Sequence, residues 1–167
     1  MMYLAYATPT GWCTRQGAFI GDAAPDSEAT QMRVYHDVIA QYNPGGRWQF
    51  AAVYSLGTQG RSTPTGGMAT WWGMTAFAKY HPRPTLAIVG RVEQYSDPDQ
   101  VIVVTGLPAS FQTTGASLGV DVNPRPPVLW RTELRGFHSR EAVWPMNSAG
   151  QGGRDDVFLV SSLALTF

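Results

Sequence analysis

Charge is scarce in this chain. Charged residues make up 14% of the sequence, where a soluble domain usually carries about a quarter. A chain so poor in charge has little with which to dress a fully wetted surface, which suits a protein whose exterior partly faces lipid. Formal net charge is +0, so a nucleic-acid partner would find no electrostatic attraction. Lys79 is the only lysine, and the other eleven cations are arginine. Arginine keeps its charge and forks onto carboxylates, as a confined charged space needs, although base composition could give the same skew. Cys13 stands alone, which excludes an intrachain disulfide and a cysteine-based metal site. No window approaches 18 consecutive apolar residues, so no transmembrane helix is expected. The start, Met1 to Ala7, lacks the basic region and the long apolar run of a signal peptide. His36, His81 and His138 show no metal spacing, and no His-Glu-x-x-His or phosphate-binding loop appears. No cofactor and no enzymatic activity are expected.

Glycine and proline, by contrast, are plentiful, at 18 and 12 residues, and aromatics reach 12%. Proline-marked tight turns recur at Thr8-Pro9-Thr10-Gly11, Asn43-Pro44-Gly45-Gly46, His81-Pro82-Arg83-Pro84 and Asn123-Pro124-Arg125-Pro126-Pro127. Their first prolines lie 35 to 42 residues apart. Each interval holds a strand of about 9 to 13 residues, a longer polar loop and a returning strand. The loops are 22–30, 57–67, 96–110 and 139–154, rich in Gly, Pro, Ser, Thr and Asp. A repeat near forty could also mark a propeller, but a blade needs four short strands where two long ones are seen here. Short turns at one end and long loops at the other are the asymmetry of a transmembrane barrel.

Alternation supports strands throughout, because side chains on a strand point to opposite faces in turn. In Arg47–Leu56, Trp48, Phe50, Ala52, Tyr54 and Leu56 share one face. Gly90 apart, Leu86, Ile88 and Val92 oppose Arg91 and Glu93, and Ala116, Leu118 and Val120 oppose Ser117 and Asp121. Trp130, Thr132 and Leu134 oppose Arg131, Glu133 and Arg135. His36 falls on the apolar face of Gln31–Tyr42, where it weakens the pattern. Tyr42, Trp48, Tyr80, Trp130 and Phe167 all sit near tight turns on the apolar side, as an interfacial aromatic girdle would. The final stretch, Asp155 to Phe167, places Val157, Leu159, Leu163, Leu165 and Phe167 on one face with Ser161. An aromatic terminus behind alternating apolar residues resembles the assembly signal of bacterial outer-membrane barrels, carried here by Leu159, Leu163, Leu165 and Phe167. The fold expected is therefore an all-β, antiparallel up-and-down transmembrane β-barrel. About nine strands are seen. Bacterial single-chain barrels have an even number, so residues 1–167 are expected to form one barrel domain truncated at its amino terminus.

From roughly Trp71 onward the chain resembles the OmpL-like family of β-barrel porins. The residues that carry the resemblance are Trp72-Gly73, Arg91-Val92-Glu93-Gln94-Tyr95 followed by Asp97-Pro98-Asp99, and Leu129-Trp130-Arg131-Thr132-Glu133-Leu134-Arg135. Ser139-Arg140-Glu141-Ala142-Val143-Trp144 and the ending Ser161 to Phe167 complete it, and Gly17 to Asp22 is compatible. The resemblance implies an outer-membrane barrel that passes solutes, with no defined substrate.

Arg91 and Glu93 on one strand, and Arg131, Glu133 and Arg135 on another, are spaced to share a face. They are candidates to line a pore and set its field, or to pair across strands and brace the wall. Arg47, Lys79 and Asp121 would join that lining, and its excess of base over acid implies weak anion preference. Asp97-Pro98-Asp99 reads as a turn start; two carboxylates are too few for a calcium site. Loop 139–154, with Trp144, is a candidate constriction. The function expected is an outer-membrane channel for passive diffusion of small hydrophilic solutes or ions. The alternatives are a non-conducting barrel that scaffolds or binds, and a soluble lipocalin-like carrier. Expected partners are outer-membrane lipids, the barrel-assembly machinery and solutes, with no nucleic acid; a homo-oligomer is compatible with the sequence. Orientation separates the carrier from the rest. The protein should leave its host membranes only with detergent, and recovery in plain buffer would reject the membrane reading.

Overall fold

The structure, a computed structural model, describes residues 2–24, 30–60, 67–107, 110–125, 128–144 and 152–165. Among the described residues every regular element is a strand: β1 Met2–Ala7, β2 Trp12–Asp22, β3 Met32–Tyr42, β4 Trp48–Gly60, β5 Met68–Arg83, β6 Leu86–Asp97, β7 Phe111–Val122, β8 Val128–Ser139 and β9 Asp155–Leu165. Each pairs antiparallel with the next, giving one nine-stranded up-and-down sheet in sequence order. β1 and β9 form its two edges and do not pair with each other.

The expected strands all form, with shifted ends. β4 begins at Trp48 and leaves Arg47 in the preceding turn. It then runs on to Gly60, past the residues read as loop, because the pairs Gly57↔Trp71 and Thr58↔Thr70 continue the ladder with β5. Glycine-rich composition hid this continuation, yet glycine is what the site requires. A Cβ on Gly57 would stand 2.1 Å from the Trp71 ring, which lies flat against its backbone. The β5–β6 reversal also moves. Pro82 lies inside β5, where it has no N–H to give the ladder, and the register shifts between Tyr80 and Arg83. The turn residues proper are Pro84 and Thr85. At the first turn, Gly11 has φ +85 and a Cβ there would meet the Asn43 carbonyl at 1.9 Å, so no other residue fits. Its carbonyl accepts the Asn43 N–H at 2.8 Å, tying two adjacent turns together.

Orientation is the decisive finding. Leu118, Leu134 and Leu163 are 61%, 53% and 64% exposed, whereas Arg91, Glu133 and Arg135 are only 18%, 25% and 26% exposed. The apolar side chains point away from the protein and the ionic ones point into it. The buried apolar residues among those described are Ala69, Trp71 and Ala87. No soluble domain of this size could do without a larger dry core. A soluble carrier of the lipocalin kind would hide the apolar face inside, and that alternative is overturned. An apolar exterior spread over nine strands is stable only against hydrocarbon.

Near the tight turns the exterior carries a run of rings in contact, stacked from Trp12 to Trp48 and tilted between Trp48 and Tyr80. Trp12 and Tyr42 lie 4.6 Å apart between centroids, Tyr42 and Phe50 6.5 Å, Phe50 and Trp48 5.8 Å, and Trp48 and Tyr80 4.7 Å. Trp130 shares that face, and its indole N–H donates to Ser161 Oγ at 2.7 Å. That bond explains a serine among the leucines of β9. Phe167 lies outside the described residues; Leu159, Leu163 and Leu165 project outward with Val157. His36 is on the outer face as expected, opposite Leu56. Leu134→Arg on this face should lower the unfolding free energy in bilayers by about 2–4 kcal/mol, as for cations at mid-membrane. Denaturant titration of the vesicle-inserted protein would read it, and no loss would contradict a lipid-facing Leu134.

Candidate functional site: the inner face

The polar sides of β5 to β8 meet on the inner face. Register places Lys79 on β5, Arg91 and Glu93 on β6, Asp121 on β7, and Arg131, Glu133 and Arg135 on β8 with one parity. Lys79 Nζ lies 2.9 Å from Asp121 Oδ2. Arg131 forks onto the same carboxylate through Nε at 2.6 Å and Nη2 at 2.8 Å. Arg91 Nη2 donates to Glu133 Oε1 at 2.6 Å. Arg135 donates to Glu93 through Nε at 2.9 Å and Nη2 at 2.7 Å. Seven of the eight residues expected to line a lumen are thus joined in ion pairs. Arg47 is apart from them, exposed in the turn before β4.

Most of these pairs skip a strand. Lys79 reaches from β5 to β7, and Arg91–Glu133 and Arg135–Glu93 both cross from β6 to β8. Alternate strands lie about 9.5 Å apart, so the partners must lie down across the strand between. β7 permits this because the middle of its inner face is small: Gly115, Ser117 and Gly119. A Cβ on Gly115 would stand 2.7 Å from Glu93 Oε1 and 2.8 Å from the Phe137 ring. Residues 115–119 also match the Gly-x-Ser-x-Gly spacing of a hydrolase nucleophile, a match the motif reading of the sequence missed. That motif needs a strand-to-helix turn; here it lies in mid-strand. Its small residues make room for crossing ion pairs.

The lattice divides the inner face into two chambers. The one toward the tight turns has a volume of about 360 Å³ and is lined by Gln49, Lys79, Arg91, Ser117, Arg131 and Glu133 among others. The one toward the long loops is about 740 Å³ and mostly apolar, with six aromatic rings in its walls. The β6–β7 loop closes part of it. Asp97, fully buried, accepts the backbone N–H groups of Val101, Ile102 and Val103 at 2.8–2.9 Å. This is the turn role expected of Asp97, and it swings Ile102 and Val103 inward over the chamber. Trp144, from the loop expected to constrict, packs on the inward Phe137 with centroids 5.2 Å apart; residues 145–151 lie outside the described residues.

Sequence reasoning missed the inner faces of β2 and β3. Arg15, Arg33, Asp37, Phe19 and Tyr35 all project inward by register. Period-two counting from Trp12 and Met32 would have found them.

A family model described as "Putative beta-barrel porin-2, OmpL-like" matches residues 2–167. Among solved structures, the NanC porin in a rhombohedral crystal form aligns with a TM-score of 0.57 at 10% identity, covering 99% of this chain and 91% of that one. At such identity the likeness speaks to the fold. No curated protein matches the chain.

Breaking one partner of the Arg135–Glu93 pair leaves a charge stranded on the half-buried inner face. Glu93→Gln or Arg135→Met alone should cost about 1–3 kcal/mol, and the double variant less than the sum of the two. A double-mutant cycle by denaturant unfolding measures this; strict additivity would mean that the pair is not coupled.

Proposed function

The chain belongs to the OmpL-like β-barrel porin-2 family of the bacterial outer membrane, and from that premise we propose that it passes small hydrophilic solutes or ions by passive diffusion. The observation that supports this reading is the inverted orientation: leucines outside, paired charges inside. Such an interior gives permeating ions fixed charge and hydrogen-bonding partners in place of lost water. The mechanism requires no catalytic residue. Tight turns would face the periplasm and long loops the exterior, as in other barrels of this kind.

On the inner faces of β5 to β8, Lys79, Arg91, Arg131 and Arg135, with Arg47 at the turn-side mouth, stand against Glu93, Asp121 and Glu133, five bases to three acids. Weak anion preference follows. The edges of β1 and β9 would leave backbone donors and acceptors unpaired in hydrocarbon, at several kcal/mol each. Closure therefore calls for further strands between them, from the same chain or from a second copy. Tyr42, Trp48, Tyr80 and Trp130, with Phe167, would form the girdle at the periplasmic interface, and Leu159, Leu163, Leu165 and Phe167 the signal read during barrel assembly. The lattice that braces the wall also narrows the interior, which supports a non-conducting, ligand-binding barrel as a second reading.

Planar bilayers separate the two. Stepwise conductance with a reversal potential of anion-selective sign in a salt gradient is expected. Arg91→Gln together with Arg47→Gln should move that potential toward zero. Cation selectivity in the native protein would reject the field argument, and absence of any step would favour the non-conducting barrel.

A further inference from the structure

The loop-side chamber differs in chemistry from the ionic lattice below it. Its walls include Phe19, Tyr35, Trp71, Tyr95, Phe111 and Phe137, and the inward loop adds Ile102 and Val103. A volume of about 740 Å³ is within the range of small-molecule sites. A path built only for hydrated ions has no use for so many rings, each of which costs water contacts without offering a charge.

Two polar features stand among the rings. The first is Arg33. Its guanidinium lies 5.5 Å from the Trp71 ring centroid. Its Nε donates to Gln59 Oε1 at 2.7 Å, and Gln59 Nε2 in turn donates to Gln31 Oε1 at 2.9 Å. The head is thereby held in place, while no carboxylate among the described residues pairs with it. Glu93, the acid on the same wall, is already held by Arg135. Among the described residues that line the chamber, Arg33 is thus the charge left without an ion-pair partner. The second is the Tyr95 hydroxyl, which is buried and has no hydrogen-bond partner among the described residues.

We propose that this chamber is a binding site for small aromatic carboxylates. The flat ring of the solute would stack between the aromatic walls. Its carboxylate would take the free edge of the Arg33 fork, with the Tyr95 ring forming part of the wall beside it. The proposal deepens the porin reading by naming a solute class for the same interior.

Quenching of tryptophan fluorescence by 4-nitrobenzoate in the detergent-folded protein tests it, with 4-nitrobenzamide as the neutral counterpart. The benzoate should bind about tenfold more tightly, the worth of one charge-assisted contact. Excess acetate should fail to displace it, because acetate has no ring. Arg33→Gln should bring the benzoate down to the level of the amide, and Phe111→Ala should weaken both probes alike. Equal binding of the two probes by the native protein would overturn the proposal without relying on any variant, and so would unchanged preference in Arg33→Gln. The channel reading is judged separately in planar bilayers. Selective binding without conductance would uphold the chamber and reject the channel; conductance without selective binding would do the reverse.

Discussion

In hydrocarbon a backbone N–H or C=O has no water to turn to. Every such group must find its partner within the protein, and this requirement governs the molecule. Nine antiparallel strands in strict sequence order satisfy it locally, each ladder completed by the neighbour that a turn or loop delivers. The requirement acts on the side chains as well. With lipid outside, apolar residues gain nothing by hiding, so Leu118, Leu134 and Leu163 stand exposed and the interior is left to polar groups.

A polar interior brings its own constraint. Charges taken from bulk water are costly unless paired. Lys79, Arg131 and Asp121 form one cluster, and Arg91–Glu133 and Arg135–Glu93 cross nearby. The crossing depends on the small residues in the middle of the inner face of β7. Gly115, Ser117 and Gly119 look dispensable by composition, yet they decide whether β6 and β8 can reach one another. The same logic recurs where an aromatic covers a glycine. Trp71 lies on Gly57, the Phe19 ring over Gly21, and Tyr95 beside Gly73. In each case the absent Cβ lets a ring lie along the wall instead of standing in the lumen.

These two devices give the interior its division of chemistry. Ion-paired arginines and acids gather toward the tight turns, where they link neighbouring and alternate strands. Rings dominate toward the loops, where the Asp97 turn adds apolar side chains to the roof. The outer face carries the corresponding order in reverse. Trp and Tyr rings gather near the tight turns, with Trp130 satisfied by Ser161.

The sequence by itself determined the strands, their faces and their order, because a period of two survives in any strand that separates lipid from water. It marked Arg91, Glu93, Arg131, Glu133 and Arg135 as one community, since spacing of two keeps a side chain on its face. It misjudged the ends of β4 and β5, because glycine and threonine read as loop until the partner strand is known, and it placed a turn at Pro82 that the chain takes two residues later. The tertiary structure settled the orientation that the sequence expected, and it alone decided which charge meets which, and that Arg33 joins rings from five other strands and a loop around one chamber. Those facts depend on residues far apart in the chain: Arg33 and Phe137 line the same space only because the ladders between β3 and β8 bring them there. Local periodicity carries no record of such distances.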